Sequence, residues 1–156
     1  MLTEVMMKIG MPTLIEFDTF EENLVLCKAL ELDFVEINMN LPQFSTEIDV
    51  QHTKALLDKY QLEATLHIAE RIDICELDPL IRNGYFEHLK KCFDIAKALD
   101  VKIINMHMSE GIHFKLLSQK IYLYRQYEKI YLAHIRTFKE FAEEQLDDIT
   151  LVVIKK

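Results

Sequence analysis

The chain has 156 residues, 50% of them hydrophobic, with three cysteines and a formal charge of −8 at pH 7. That suffices for one globular domain over 1–156, burying roughly 70% of its unfolded surface, while the acidic balance works against nucleic acid, whose binders present a basic face. There is no run of about 18 uncharged apolar residues and no basic-then-apolar leader, so the expectation is a soluble, cytoplasmic protein with no membrane partner.

In chain order, MMKIGM (6–11), closed by Pro12, predicts a first strand. Asp18 and Thr19 then precede FEENLVLCKALE, where Glu21 and Glu22 suit the positive end of a helix and Leu24, Cys27 and Leu30 share a face. DFVEINMN (33–40) predicts a second strand ending at Pro42. DVQHTKALLDKY predicts a second helix with Val50, Leu56 and Leu57 on its apolar side, and LEATLHIA (62–69) a third strand. ERIDICELDP reads as a loop able to carry function. Beyond Pro79, the residues Phe86, Leu89, Phe93, Ala96 and Leu99 recur at three- and four-residue steps, a strong amphipathic helix pattern. VKIINMH (101–107) predicts a fourth strand, roughly 118–146 one long helix, and ITLVVI (149–154) a fifth strand.

Strand and helix in alternation imply an α/β fold of about five parallel strands and four helices, joined by right-handed crossovers. CKALELDFVEIN (27–38) and AKALDVKIIN (96–105) repeat one helix-to-strand joint and fit two turns of the same winding. Cys27, Cys75 and Cys92, odd in number and without a CxxC pair, read as small buried apolar residues.

Parallel α/β sheets place ligands beyond the carboxyl ends of their strands. Glu36 and Asn38 end the second strand, His67 the third, Asn105 and His107 the fourth, so five chemically useful side chains fall at one end. Imidazoles on neighbouring strands can share a divalent metal or hydrogen-bond one substrate oxygen, provided their pleat parity agrees. A satisfied, partly buried imidazole is the plainer reading for either alone. Glu36 suits acid–base work or the anchoring of a loop. His113, just past the turn that ends in Gly111, is a further candidate for the same mouth. His52 and His88 fall on polar sides of helices, His134 reads as a packing residue, and Tyr122, Tyr124, Tyr127 and Tyr131 read as helix surface and core.

Taken together, KALELDFVEI, ATLHIA, IINMHMSEG and KIYLYRQYEKIYLAHIRTFKEF resemble the sugar phosphate isomerase/epimerase group of xylose isomerase-like TIM barrels, related to the endonuclease IV fold. The resemblance spans essentially the whole chain and rests on the order and spacing of Glu36, His67 and His107. It implies a partial (β/α) TIM-type barrel and a sugar or sugar-phosphate ligand, with a divalent metal ion (Zn, Mn or Mg) polarising the substrate while carboxylates shuttle a proton. Under the resemblance Glu36 is the catalytic carboxylate, and Asn38, His67, His107 and His113 bind substrate. His67 and His107 match zinc ligands in the endonuclease IV branch and sugar-pocket wall in the isomerase branch.

The sequence also departs from that family. A complete barrel takes about 250 residues, and ITLVVIKK puts Lys155 where the fifth strand of the family ends in a metal-binding glutamate. Ligands from strands six to eight have no counterpart, and Glu31 and Asp100 stand where helix-ending glycines are expected. These departures imply a truncated chain with little or no activity of its own. Alternatives are a homodimer closing its open barrel edges, a non-catalytic binding module, and an endonuclease IV-like nuclease, which needs a three-metal centre and a DNA-facing surface.

Overall fold

The structure, a computed structural model, describes residues 7–155. It runs β1 (Gly10–Pro12), α1 (Phe20–Ala29), β2 (Phe34–Asn38), α2 (Val50–Tyr60), β3 (Glu63–His67), α3 (Pro79–Ala98) and β4 (Ile103–Met108). A hairpin of β5 (His113–Lys115) and β6 (Lys120–Tyr122) follows, then α4 (Leu123–Gln126), α5 (Glu128–Gln145) and β7 (Thr150–Lys155). Strands β1, β2, β3, β4 and β7 lie in that order in one sheet, each neighbouring pair parallel.

Short polar side chains start the helices by accepting from backbone N–H groups that have no partner within the helix. The Thr19 hydroxyl accepts from Glu22 N–H at 3.2 Å while the Glu22 carboxylate accepts from Thr19 N–H at 2.9 Å, a reciprocal capping box. Asp49 does the same for His52 N–H at 3.0 Å, and Asp78 for Leu80 N–H at 2.8 Å, with Pro79 at the first turn of α3.

Helices α1, α2 and α3 end in one shared closure. Leu32, Leu62 and Val101 donate to the carbonyls of Cys27, Leu57 and Ala96 at 3.0, 3.1 and 2.9 Å. The preceding residues donate to Lys28, Asp58 and Lys97 at 3.1 to 3.2 Å. This closure requires a left-handed residue, and Glu31, Gln61 and Asp100 adopt it at φ of 55°, 50° and 58°, without glycine. The chain then turns its next apolar residue into the core and enters a strand. The Lys-Ala-Leu-acid repeat is the sequence imprint of this joint.

Strand alternation divides the sheet into two faces. Val35, Ile37, Leu66, Ile104 and Met106 are buried against Leu24 and Cys27 of α1, Leu56 and Leu57 of α2, Leu89 and Phe93 of α3, and Phe138 and Ala142 of α5. Burying each large apolar side chain stabilises by roughly 1.5–3 kcal/mol. Glu36, Asn38, Thr65, His67, Asn105 and His107 have the opposite parity and line the face that no helix covers.

Several elements differ from the sequence expectation. The first strand is Gly10–Pro12, not 6–11, and Met6 lies outside the described residues. A Cβ at Gly10 would stand 2.4 Å from the ring of Phe34 on β2, so glycine lets the edge strand pack there; Pro12 is tolerated because β1 is an edge. The helix expected over 118–146 instead begins after a hairpin, and α4 is separated from α5 at Tyr127, with φ −121° and ψ 34°. His113-Phe-Lys and Lys120-Ile-Tyr pair antiparallel across that hairpin. Among the described residues the sheet of five parallel strands therefore carries a two-stranded annex and five α-helices, one of them a single turn. Leu30 caps α1 and is 56% exposed, off the inward face of Leu24 and Cys27.

His88 departs from its expected polar setting as well. It is half-buried, its Nε2 has no hydrogen-bond partner, and burial, then the charges of Arg71 and Lys91, push its pKa below the usual 6.5. The folded state thus binds this proton less well than the unfolded chain, and the contribution to stability is complete above about pH 6.5 and is lost as pH falls below it. Replacing His88→Leu is expected to reduce the drop in urea midpoint between neutral and mildly acidic pH; an unchanged drop would refute this assignment. A left-handed backbone costs an L-residue about 1–2 kcal/mol and glycine loses about 0.5–1 kcal/mol of that advantage to entropy. Gln61→Gly is therefore expected to raise the free energy of urea unfolding by up to about 1 kcal/mol.

Candidate functional site

Strand register sets the site in rows. Asn38 of β2 stands beside His67 of β3, and His67 beside Asn105 of β4, which in turn faces Val152 of β7. Glu36 is paired with Thr65 one pleat toward the amino end, and His107 stands one pleat toward the carboxyl end, beside Ile154. Asn105 Nδ2 donates to Glu36 Oε2 at 2.5 Å, reaching across β3. The rings of His67 and His107 lie 5.1 Å apart, tilted by 52°. Both rings bury an Nδ1 with no hydrogen-bond partner, as does the Oγ1 of Thr65. Each such atom costs about 1–3 kcal/mol relative to a satisfied one. All three belong to strand positions of the uncovered face.

The sequence-predicted residues separate in this geometry. Glu36, His67 and His107 come together on the uncovered face, with Asn105 as the partner of Glu36. Asn38 shares the face, but its side-chain oxygen accepts from Asn40 N–H at 3.0 Å and from Asn40 Nδ2 at 2.9 Å, which leaves its NH₂ to offer. Asn40 in turn accepts from Glu70 N–H at 2.9 Å and ties the loops beyond β2 and β3 together. His113 sits in the hairpin, exposed, with its ring 5.6 Å from Tyr122. Thr65 escaped the sequence reading because a threonine in a strand is ordinarily a β-former. Only the register shows that it lies under the Glu36–Asn105 bridge.

Among the described residues no group of three or more His, Cys, Asp or Glu could hold an ion. Catalytic zinc takes three protein ligands; His67, His107 and Glu36 share the uncovered face, but they are not grouped closely enough to hold an ion together. The thiols add nothing: Cys75 and Cys92 are buried, and burial pushes both pKa values up to about 12. Among the described residues no helix is long and apolar enough to cross a membrane.

Residues 24–153 match the xylose isomerase-like TIM barrel family, and the chain belongs to it. Among solved structures it is similar to 3-keto-D-glucoside 4-epimerase, YcjR, from E. coli, with TM-score 0.72 and 16% identity over 95% of this chain and 56% of that one. D-psicose 3-epimerase from Clostridium cellulolyticum H10, crystallised with D-tagatose, gives TM-score 0.67 and 16% identity over 93% and 51%. The IOLI protein with a bound zinc atom gives 0.67 and 16% over 96% and 51%. No curated protein matches the chain. The chain thus spans about half the length of these solved relatives, and its five-stranded sheet is part of the barrel they share. The uncovered face corresponds to the interior of that barrel.

Thr65→Val keeps the shape and removes the buried hydroxyl without a partner. It is expected to raise unfolding free energy by about 1 kcal/mol in urea denaturation; a loss of similar size would show that the hydroxyl is satisfied and not reserved for a ligand.

Proposed function

We propose that the uncovered face is one wall of a sugar isomerase/epimerase site and binds a sugar on its own. The observation that carries this reading is the Glu36 carboxylate, steered by Asn105, on the same sheet face as two imidazoles 5.1 Å apart whose Nδ1 atoms have no partner. Isomerisation or epimerisation of a ketose removes a proton from a carbon next to a carbonyl and returns it elsewhere or to the other side. Glu36 is the group assigned to that transfer: Asn105 fixes one carboxylate oxygen and leaves the other for the proton. A neutral imidazole carries one N–H donor and one acceptor nitrogen, so His67 and His107 are assigned to the carbonyl and a neighbouring hydroxyl. The Asn38 amide contributes a further donor. The strand positions on this face carry no Lys or Arg, which favours a neutral sugar over its phosphate.

A divalent ion, when bound, would polarise the sugar carbonyl, and His67 and His107 are the residues that would hold it. Two nitrogens do not complete its coordination, so the proposal is binding with little or no turnover by these residues alone. The edge of β7, where Val152, Val153 and Ile154 are 38 to 45% exposed, supports pairing with a second copy as the route to a closed sheet.

Titrating D-tagatose into isotope-labelled protein tests the reading. Amide shifts at Glu36, His67, Asn105 and His107 are expected, and they should vanish in the His67→Ala, His107→Ala double variant. No shifts in the parent chain would refute sugar binding. Turnover of a ketose within the ordinary range of about 1–1,000 per second, with Zn²⁺ or Mn²⁺ supplied, would refute the low-activity part alone.

A further inference from the structure

A second cavity opens on the other side of β4. Met108 follows His107 and so points to the opposite face, where it borders a space of about 530 Å³ between the loop beyond β3, the β5–β6 hairpin and α5. Pockets of this size accept small ligands.

The walls are aromatic. Tyr122 and Tyr124 have ring centroids 5.5 Å apart, and Tyr124 and Tyr131 are 6.1 Å apart in an edge-to-face arrangement. Leu132 and Ile135 of α5 continue the apolar lining. The rim is polar and balanced in charge, with Glu110 and Glu128 against Arg125 and the neighbouring Lys120. Among the described residues, the side chains of Tyr124, Arg125, Glu128 and Tyr131 make no hydrogen bond or ion pair within the chain, and Tyr124, Arg125 and Glu128 are exposed to solvent. An apolar chamber with several convergent polar groups left free is the usual form of a small-molecule site.

The chemistry narrows the ligand. Aromatic faces attract cations, but Lys120 already covers Tyr122 at 4.7 Å from the ring centroid and Arg125 approaches it at 5.7 Å. A cationic ligand would compete with the protein's own cations there, and an anionic one would meet Glu110 and Glu128. A neutral polyhydroxylated ring meets neither penalty. Its C–H face stacks on tyrosine while its hydroxyls pair with Arg125, Glu128 and the tyrosine hydroxyls. We propose that this cavity is a second sugar site, selective for a neutral pyranose ring. It uses none of Glu36, His67 or His107 and goes beyond the reading of the uncovered face.

The test titrates a methyl glucoside, which has no free carbonyl, into the full chain, with glucosamine and glucose 6-phosphate as charged counterparts. Ligand saturation transfer and backbone amide shifts are read. The expected result is shifts at Tyr124, Arg125 and Tyr131, weaker binding of both charged sugars, and full binding in the His67→Ala, His107→Ala variant. Tyr124→Ala should weaken binding about tenfold through lost stacking, and Arg125→Met should weaken it while leaving the rings in place. Binding unchanged in both Tyr124→Ala and Arg125→Met overturns the proposal, as does no binding in the parent chain. Binding lost only in the histidine double variant also overturns it, yet leaves the sugar reading of the uncovered face intact. Tighter binding of either charged sugar would assign the cavity to another ligand class.

Discussion

Strand alternation within a parallel register is the constraint on which everything else in this chain depends. Because Leu66 and Ile104 are paired across β3 and β4, and Val35 and Ile37 fall in step with them on β2, the apolar residues all meet the helices. The intervening residues are then forced together on the other face, and there Glu36, Asn105, His67 and His107 become neighbours. A shift of one residue in β2, β3 or β4 would exchange the two faces of that strand. It would turn Glu36, His67 or His107 respectively toward the helices, so the hydrophobic core and the polar site enforce each other's position.

The same constraint leaves one surface unfinished. In a closed barrel the inner face is covered by strands on the far side, whereas here β7 hydrogen-bonds to β4 alone among the described residues. Val152 and Ile154 share the face of His107 and stand partly exposed. An edge strand with four consecutive apolar residues, Leu151–Val152–Val153–Ile154, invites another strand. The chain spans about half the length of the solved relatives. A ligand at the uncovered face of this chain would therefore be held from one side, by hydrogen bonds from side chains on three strands, without full exclusion of water. Charge on a ligand bound there would be screened by solvent, which weakens any electrostatic stabilisation that one open face can offer.

Much of this was legible in the sequence because several physical signals agreed. Glu21 and Glu22 after Thr19 mark α1 through capping and the helix dipole, and the structure starts the helix there. The strands ending at His67 and His107 combined apolar runs with a polar terminus, and both lie in the sheet where expected. The hairpin was not legible. Its strands are three residues each, too short for alternation to outweigh the helical period of the residues that follow, and its pairing is a tertiary fact. Gln61, Glu31 and Asp100 show another limit. Their left-handed turns follow from the closure hydrogen bonds, which override the residue preference that would have placed glycine there. Parity was the missing quantity for His67 and His107: each strand end was visible, but only the register brings one ring to within 5.1 Å of the other.

The end of β4 joins these threads. His107 and Met108 are consecutive, so a single strand presents an imidazole to the uncovered face and a thioether to the aromatic cavity behind it. Beyond them Ser109 and Glu110 turn the chain, with the Ser109 hydroxyl accepting from Gly111 N–H at 3.0 Å and Gly111 at φ 67° beneath the Tyr131 hydroxyl. A side chain at Gly111 would press on that tyrosine, so the turn, the cavity wall and the strand end are mechanically linked. Met106 is buried in the core just below and fixes the height of the whole assembly. The histidine at the end of this apolar run is thus set by the packing beneath it, and the same packing sets the position of the second cavity.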